Sequence, residues 1–291
     1  MALSPRIADT LPETECDALA MNLRLYEAHN HLQDERLAPE LEAILDALPH
    51  AGIVKMVVNG SREADWPGVR ALARRCPQVI PSYGYHPWYV KERPANWREV
   101  LAGFLDDPYA AVGEIGLDHW IEGHDLEDQS EVFIWQLQWA AERNLPVSIH
   151  CLQAWGRLLE ILRAQPLPRR GFLLHSYGGS AELVGPLVEL GARFSIPGHF
   201  AHERKLRHRE AFRRVPLDRL LIETDAPDQS LPTERVEYPL FEAASGKPIN
   251  HPANLGAVYR FAAEVMGQPL EALAAQVEEN FLRLFAARGA L

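Results

Sequence analysis

The sequence contains few cysteines. Its 291 residues include three, Cys16, Cys76 and Cys151, which are widely separated and odd in number. This arrangement excludes a disulfide framework and a metal knuckle built on a Cys-x-x-Cys pair. We therefore expect a protein of the reducing cytoplasm.

Long apolar runs are also absent. No run approaches the roughly 20 residues that span a bilayer, and the N-terminal stretch carries acidic residues where a signal peptide would have a basic start. The sequence thus predicts no membrane segment and no export signal. We expect residues 1–24 to form an N-terminal extension and residues 25–291 to form a single domain.

Positive charge is scarce, because 40 acidic side chains outnumber 29 basic ones and give a formal net charge of −11. A chain of this charge has no general field that attracts a phosphate backbone from a distance. Any contact with nucleic acid would depend on local groups. Composition and motifs indicate no particular oligomeric state.

The turn after the first strand-like run lacks glycine. There "HNHLQDE" stands where a doubly wound sheet often has a glycine-rich phosphate turn. Eight short apolar runs, each leading into Gly, Pro, His or Asp, are predicted strands: "RLYEAH", "IVKMVVNG", "VIPSYGYH", "AVGEIGLD", "LPVSIHC", "GFLLHS", "ARFSIPG" and "RLLIETDAP". Segments with helical spacing separate them. Eight such units predict a (β/α)8 TIM barrel, an α/β fold.

Helix ends are marked in the segments between the runs. "PELEAILDALPHAG" and "EVFIWQLQWAAERN" are predicted helices that stop at Gly52 and Asn144, residue types that suit a helix C-terminus. "AWGRLLEILRAQ" is a third predicted helix. The tail that begins at "HPANL" is predicted to form two more helices that close the barrel.

Histidines and carboxylates fall at the predicted C-terminal ends of these strands. In a TIM barrel those ends meet at one face, where the catalytic side chains lie. His29 and His31 are two residues apart and so share one side of the first strand. The full predicted ligand set is His29, His31, Glu114, His150, His175 and Asp225. Four imidazoles and two carboxylates can hold one or two divalent ions, with Glu114 as a bridge.

Each of these residues has a simpler explanation when it is considered alone. A single histidine at a strand end is more often hydrogen-bonded or half-exposed than bound to a metal. Six ligand-type residues at the ends of five strands are harder to explain by packing, since a buried unpaired carboxylate or imidazole costs several kcal/mol. The joint arrangement favours a metal centre.

Five segments carry a resemblance to a known family: "YEAHNHL", "AVGEIGLD", "LPVSIHC", "LLHSYGG" and "LLIETDAP". In this order they resemble the signature segments of the TatD family of metal-dependent hydrolases, a branch of the amidohydrolase superfamily. The resemblance extends along nearly the whole chain and implies a TIM barrel with a mononuclear or dinuclear site. The six predicted ligands match the family's ligand positions. His86, in "YGYHP", matches a family histidine near the scissile group.

Some positions depart from the family pattern. Relatives have Asp and then Ser or Thr before the paired histidines, tyrosines after the fourth strand, and basic residues after the fifth and eighth strands. At those positions this chain has Glu27, Ala28, His119, Trp120, Leu152 and Ile249. Two cations that would meet a substrate phosphate are thus missing, which weakens the prediction of a nuclease that degrades long DNA.

Further residues are predicted to line the pocket and to contact the substrate: Trp88, His119, Trp120, His199 and Asn250. Phe200 is a candidate for the same rim. An aromatic rim of this kind would suit a compact, partly apolar substrate or a single stacked base at a strand end.

Neighbouring residues are assigned other roles. Cys151 alternates with His150 and is predicted to pack away from the site. Glu223 is predicted to support a ligand histidine through its second nitrogen, and His202 to begin a solvated helix. The basic run "HERKLRHREAFRR" is predicted to be a solvated helix face, with contact to phosphates as the alternative.

The predicted chemistry is hydrolysis by a water that divalent metals activate. Asp225 takes or relays the proton, and Glu114 and His86 complete the predicted catalytic residues. Nitrogen-rich ligation favours Zn, Mn, Co or Ni, with Mg as the alternative. No covalent intermediate is required.

Three functions remain open. The first is a TatD-like phosphodiesterase or deoxyribonuclease, the second a metal-dependent hydrolase of a small amide, ester or lactone, and the third a non-catalytic metal-binding barrel. Retention of all six ligand types argues against the third. The predicted substrate is a small molecule or a nucleic-acid end, and small phosphodiesters or carboxylic derivatives are favoured over long DNA.

Overall fold

Eight parallel strands form the centre of the fold. A computed structural model describes residues 23–286, and within them the strands pair in chain order. They are β1 (Leu25–Asn30), β2 (Ile53–Asn59), β3 (Val79–Tyr83), β4 (Ala111–Asp118), β5 (Val147–Leu152), β6 (Phe172–Leu174), β7 (Ala192–Pro197) and β8 (Leu220–Glu223). The predicted (β/α)8 TIM barrel is confirmed.

Helices connect the strands and follow the last one. In the described residues they are α1 (Leu41–His50), α2 (Trp66–Arg75), α3 (Trp97–Leu105), α4 (Leu126–Arg143), α5 (Trp155–Ala164), α6 (Ala181–Glu189), α7 (Leu206–Phe212), α8 (Leu255–Met266) and α9 (Leu270–Phe285). Asn144 ends α4 in the left-handed conformation, with φ of 50°, as its residue type predicts. Two short strands, β9 (Leu240–Phe241) and β10 (Pro248–Ile249), pair in the loop after β8.

The barrel closes where β1 meets the loop after β8. The Asp225 N–H donates to the His29 carbonyl at 3.0 Å, and the His31 N–H donates to the Ala226 carbonyl at 2.8 Å. Just below, the buried Glu27 carboxylate accepts from the N–H and the hydroxyl of Thr224. Closure of the fold therefore brings three predicted ligands together.

Two sequence predictions concern regions beyond the barrel strands. The predicted extension lies outside the described residues apart from its last two, as does Cys16, so the boundary after residue 24 stays a prediction. Among residues 23–286, no helix is both long and apolar enough to cross a membrane.

A buried side-chain amide on the last helix forms hydrogen bonds with the chain at the start of β8. Asn280, fully buried on α9, donates from Nδ2 to the carbonyls of Leu217 (2.7 Å) and Leu220 (2.9 Å). Its Oδ1 accepts from Gln276 at 3.0 Å. These bonds hold the predicted closing helix against the barrel.

Replacing this amide tests the attachment of α9. We expect Asn280→Leu to lower the free energy of unfolding by about 1–3 kcal/mol, because two buried carbonyls lose their donor. Urea denaturation of both proteins measures the difference. The exposed neighbour Glu279 serves as the control, since Glu279→Leu should stay within about 0.5 kcal/mol. Equal stability of the two variants would contradict the anchoring role.

Candidate metal centre

A buried glutamate lies at the centre of the candidate site. The Glu114 side chain is 3% exposed, and its Oε2 lies 3.4 Å from His29 Nε2 and 3.3 Å from His31 Nε2. Its Oε1 faces three other imidazoles, those of His175 (2.7 Å), His150 (3.2 Å) and His86 (3.4 Å). One carboxylate thus faces two groups of nitrogen donors, as a bridging ligand would.

Two of the predicted ligands lie inside strands rather than at their ends. Glu114 is the fourth residue of β4 and His150 the fourth of β5, because these strands continue as a parallel pair up to Asp118 and Leu152. Gly116 permits the close approach: a Cβ there would lie 1.9 Å from the His150 carbonyl oxygen. The prediction of strand ends was wrong for these two residues, although both side chains reach the site.

The second nitrogen of each of three ligand histidines faces an acceptor on the barrel wall. His31 Nδ1 lies 2.8 Å from the Asn59 carbonyl oxygen and His29 Nδ1 lies 2.9 Å from Ser148 Oγ. His150 uses the opposite nitrogen, with Nε2 at 2.9 Å from an Asp118 oxygen. Since a neutral imidazole has one N–H, donation to these acceptors leaves the inward nitrogen free to bind a metal.

His175 follows β6 and has a carboxylate behind it. Its Nδ1 lies 3.7 Å from Glu223 Oε1, while its Nε2 faces Glu114. Glu223 also accepts from the Ser176 N–H at 2.7 Å and from the hydroxyl of Ser195. At 3.7 Å the contact between His175 and Glu223 is too long for a hydrogen bond, and His175 Nδ1 has no hydrogen-bond partner among the described residues. The role of Glu223 as a support for a ligand histidine therefore stays a prediction.

His86 has the reverse arrangement. Its Nδ1 accepts from the Trp88 N–H at 3.1 Å, so the proton of a neutral ring sits on Nε2, which points towards Glu114. Burial lowers the pKa of His86 to about 4 and keeps the ring neutral. His86 is therefore a hydrogen-bond donor into the site and a poorer metal ligand than the other four histidines.

Asp225 completes the site from the loop after β8. Its Oδ1 lies 3.6 Å from His29 Nε2 and 3.5 Å from His31 Nε2. Gln229 donates to Asp225 Oδ2 at 2.6 Å and to Ser176 Oγ at 2.5 Å. Ser176, Asp225 and Gln229 all have positive φ, at 43°, 56° and 51°. Non-glycine residues in this region are strained and cluster at functional sites.

The charges of the cluster favour a cation at its centre. Burial alone would raise the pKa of the Glu114 carboxyl, but His175 and the other imidazoles bring it well below its ordinary range. Burial would lower the pKa of His31, yet contacts with Glu114 and Asp225 raise it to about 9. Burial raises the pKa of Asp225 to about 7.

Asp118 was not predicted from the sequence. Its Oδ2 accepts from the Trp88 indole N–H at 2.8 Å as well as facing His150, and its Oδ1 accepts from the Trp120 N–H. The hydrogen bond with His150 overcomes the effect of burial and holds the pKa of Asp118 below its ordinary value. The signal was present, since Glu114 and Asp118 share one face of β4 by alternation.

Of the predicted substrate contacts, three lie on loops beside this centre. Trp88 is 44% exposed and Trp120 is 63% exposed, and both are joined to Asp118. His119 is exposed and its ring packs edge-on against His124, with centroids 4.3 Å apart. The Trp88 indole thus lies beside the cluster through its bond to Asp118, whereas Trp120 is joined to Asp118 by its backbone N–H and exposes its side chain.

The remaining rim predictions have mixed outcomes. His199 is half-buried after β7, and His202 is half-buried rather than solvated because its ring contacts the Ser230 carbonyl at 3.2 Å. Phe200 is buried against His208 rather than on the rim. Asn250 is also buried, as its amide donates to the Thr224 carbonyl at 2.8 Å. The structure therefore does not support direct substrate contact by Asn250.

Cys151 lies next to His150 but is not placed as a nucleophile. Its side chain is buried, and burial raises the pKa of the thiol far above its ordinary value. A buried neutral thiol is unreactive, which agrees with the predicted packing role.

The donor set fits divalent metal ions. The ligand atoms of His29, His31 and Glu114 lie within 4.8 Å of one another. On the other side of Glu114, His150 Nδ1 and His175 Nε2 lie 3.3 Å apart and both face Glu114 Oε1. Inward nitrogens with free lone pairs, a bridging carboxylate and a second carboxylate match the ligand chemistry of a two-ion site.

Comparisons with known proteins agree with this geometry. The sequence model of the family TatD related DNase matches residues 26–286. The chain is 29% identical over 263 residues to the 3'-5' ssDNA/RNA exonuclease TatD of Escherichia fergusonii, an alignment that covers 90% of this chain and 98% of that protein. It is 28% identical to the uncharacterized metal-dependent hydrolase YjjV of Escherichia coli strain K12, with 91% and 99% covered.

Solved structures give the same result. The crystal structure of Escherichia coli YjjV, a TatD homologue, superposes with a TM-score of 0.81 at 28% identity, covering 90% of this chain and 98% of that one. A TatD family hydrolase from Entamoeba histolytica shares the fold, with a TM-score of 0.79 at 16% identity and 91% and 99% covered. The chain belongs to the TatD related DNase family of metal-dependent hydrolases.

Proposed function

We propose that this protein hydrolyses phosphodiesters at the cluster centred on Glu114, with a small phosphodiester or the end of a nucleic-acid strand as the substrate. The observation that carries the proposal is the bridging position of Glu114 between the imidazoles of His29 and His31 and those of His150 and His175. The name of the Escherichia fergusonii relative, an exonuclease, supports the same bond type.

Divalent ions bound here would lower the pKa of a water and polarise the oxygen of the bond to be broken. His29, His31, Glu114, His150, His175 and Asp225 are the residues that would hold them. Because most of these donors are nitrogen, we propose Zn, Mn, Co or Ni in preference to Mg.

Asp225 is placed to move the proton. Gln229 fixes its Oδ2 at 2.6 Å, which leaves Oδ1 directed at the centre of the cluster. A carboxylate in this position can accept a proton from the attacking water and return it to the leaving oxygen. His86 Nε2–H is in position to donate a hydrogen bond to a substrate oxygen.

The aromatic rim of the site suits the end of a nucleic-acid strand. The exposed indoles of Trp88 and Trp120 can stack on a base, and such stacking tolerates any base. The cytoplasm remains the proposed location, supported by the free thiols of Cys76 and Cys151.

A substrate panel tests this proposal against hydrolysis of an amide, ester or lactone. We expect metal-loaded protein to cleave bis-p-nitrophenyl phosphate and to release nucleotides from short single strands, because bound cations would stabilise the charge that develops on a phosphoryl oxygen. Lactones and acylated amino acids should give no turnover above a metal-free control. Turnover confined to the carboxylic substrates would contradict the proposal.

Asparagine at position 225 tests the proton-transfer role. Asp225→Asn should lower kcat to below about a hundredth of wild type while preserving the far-UV circular dichroism spectrum, since the amide keeps the shape but cannot accept the proton. Asp228→Asn is the matched control: this carboxylate lies on the same loop and pairs with Arg36. Retention of more than about a tenth of the wild-type rate, a difference of ~1.4 kcal/mol, would show that Asp225 has another role.

A further inference from the structure

A cluster of basic side chains follows β7. It begins on the face that carries the candidate metal centre and continues along α7, so that Arg213 and Arg214, just past the end of that helix, lie towards the opposite end of the barrel. Between residues 202 and 214 the chain has two acidic residues, Glu203 and Glu210, and six cations that we call the basic tract: Arg204, Lys205, Arg207, Arg209, Arg213 and Arg214. Arg204, Arg207, Arg213 and Arg214 are exposed, and Lys205 and Arg209 are half-buried. The tract is locally cationic in a chain whose net charge is −11.

Among the described residues, the cations of the tract form no ion pair with a carboxylate. Within residues 23–286, none of the six forms an ion pair, whereas Arg219 pairs with Asp218 and Arg235 with Glu264 nearby along the chain. The Nε of Arg209 is buried without a hydrogen-bond partner in the described part of the chain. Unpaired like charges repel one another, and a polyanion would relieve that repulsion.

The tract is connected to the metal centre through the loop after β8. Asp225 is bonded to Gln229, and the next residue, Ser230, contacts His202. The His202 ring lies 5.0 Å from that of His199. Burial first, and then Lys205 and Arg204, lower the pKa of His199 to about 4, as nearby cations would.

The barrel's topology separates the tract from the exposed indoles. Trp88 and Trp120 follow β3 and β4, whereas the tract follows β7, so the two features lie on opposite sides of the barrel mouth with the metal centre between them. Loops after the seventh and eighth strands commonly supply the phosphate site of a TIM barrel. The terminal base of a nucleic-acid strand can contact an indole while the rest of that nucleic-acid strand extends across the basic tract.

We propose that the basic tract binds the phosphate backbone of a single-stranded nucleic acid whose end lies at the metal centre, an inference that rests on the proposed phosphodiesterase function. The cations of the tract occupy successive positions along the chain rather than surrounding one point, and a nucleic-acid strand supplies the repeating negative charge that matches such a row. Single strands also leave their bases free to stack on aromatic side chains. Leu152 and Ile249 carry no charge, so the tract would supply cations that those positions lack.

Binding of a labelled oligonucleotide tests the tract. The protein is the full-length, metal-loaded chain carrying Asp225→Asn, which separates binding from turnover, and the probe is a fluorescein-labelled 15-nucleotide single strand, roughly the upper end of a single-strand site size. Fluorescence anisotropy is measured between 50 and 200 mM salt, a range over which phosphate contacts change affinity strongly. Arg204→Gln, Lys205→Gln and Arg207→Gln are introduced together into this parent.

We expect the triple variant to bind the oligonucleotide at least about tenfold more weakly at low salt. The slope of log affinity against log salt should become shallower by about 2, since each phosphate contact in a single strand contributes about 0.7. Circular dichroism and thermal unfolding of the variant establish that it is folded. An unchanged affinity and slope in a folded variant would overturn the proposal.

The matched control removes three charges from the opposite end of the barrel. Arg74, Arg163 and Arg169 are exposed, and they lie where α2 and α5 end and just before β6 begins. Arg74→Gln, Arg163→Gln and Arg169→Gln together should leave the affinity within about twofold. An equal loss of affinity in this control variant would mean that the net charge of the protein, and not the tract, determines the affinity. That result would also overturn the proposal.

The result is separable from the proposed function. If the Asp225→Asn parent binds the oligonucleotide through the tract but the wild-type protein cleaves no phosphodiester, the proposal for the tract is supported and the phosphodiesterase proposal fails. If wild type cleaves bis-p-nitrophenyl phosphate but the parent does not bind the oligonucleotide, the tract proposal fails and the catalytic one stands.

Discussion

A buried carboxylate among imidazoles is the constraint on which the site depends. A charged group removed from water costs several kcal/mol of free energy unless it is paired. Glu114 is paired only because β1, β5 and the loops after β3 and β6 each place a histidine against it. No two neighbouring strands could supply all of these contacts. A closed barrel can, because its parallel strands all end at one face.

The barrel wall also determines which nitrogen of each histidine faces inward. Carbonyl, hydroxyl and carboxylate acceptors behind His31, His29 and His150 hold the outward N–H, whereas the backbone N–H of Trp88 imposes the opposite tautomer on His86. The same residue type therefore serves two purposes within one cluster. Acceptors behind His29, His31 and His150 leave their inward nitrogens with lone pairs that suit a metal ion, whereas His86 directs its N–H inward.

The sequence predicted the architecture, and it predicted which histidines and carboxylates meet in one cluster, because both have short-range signals. Alternation and turn residues marked eight strands, and two-residue spacing placed His29 and His31 on one side of β1. The position of a residue within its strand was harder to predict. The pairing of β4 with β5 places Glu114 and His150 inside their strands, and it depends on the close approach of the two strands that Gly116 allows. Asn250 and Phe200 were misplaced because local pattern does not distinguish a residue on a rim from one buried under a loop.

The central proposal is that Glu114 would lie between two bound metal ions, and X-ray anomalous scattering from crystals of protein purified without chelators tests it most directly. We expect two peaks roughly 3.5–4 Å apart, one beside His29 and His31 and the other beside His150 and His175, at the absorption edge of Zn, Mn, Co or Ni. Both peaks should lie next to Glu114, and neither should lie against His86 Nε2. A single peak away from Glu114, or no peak after incubation with these metals, would contradict the claim.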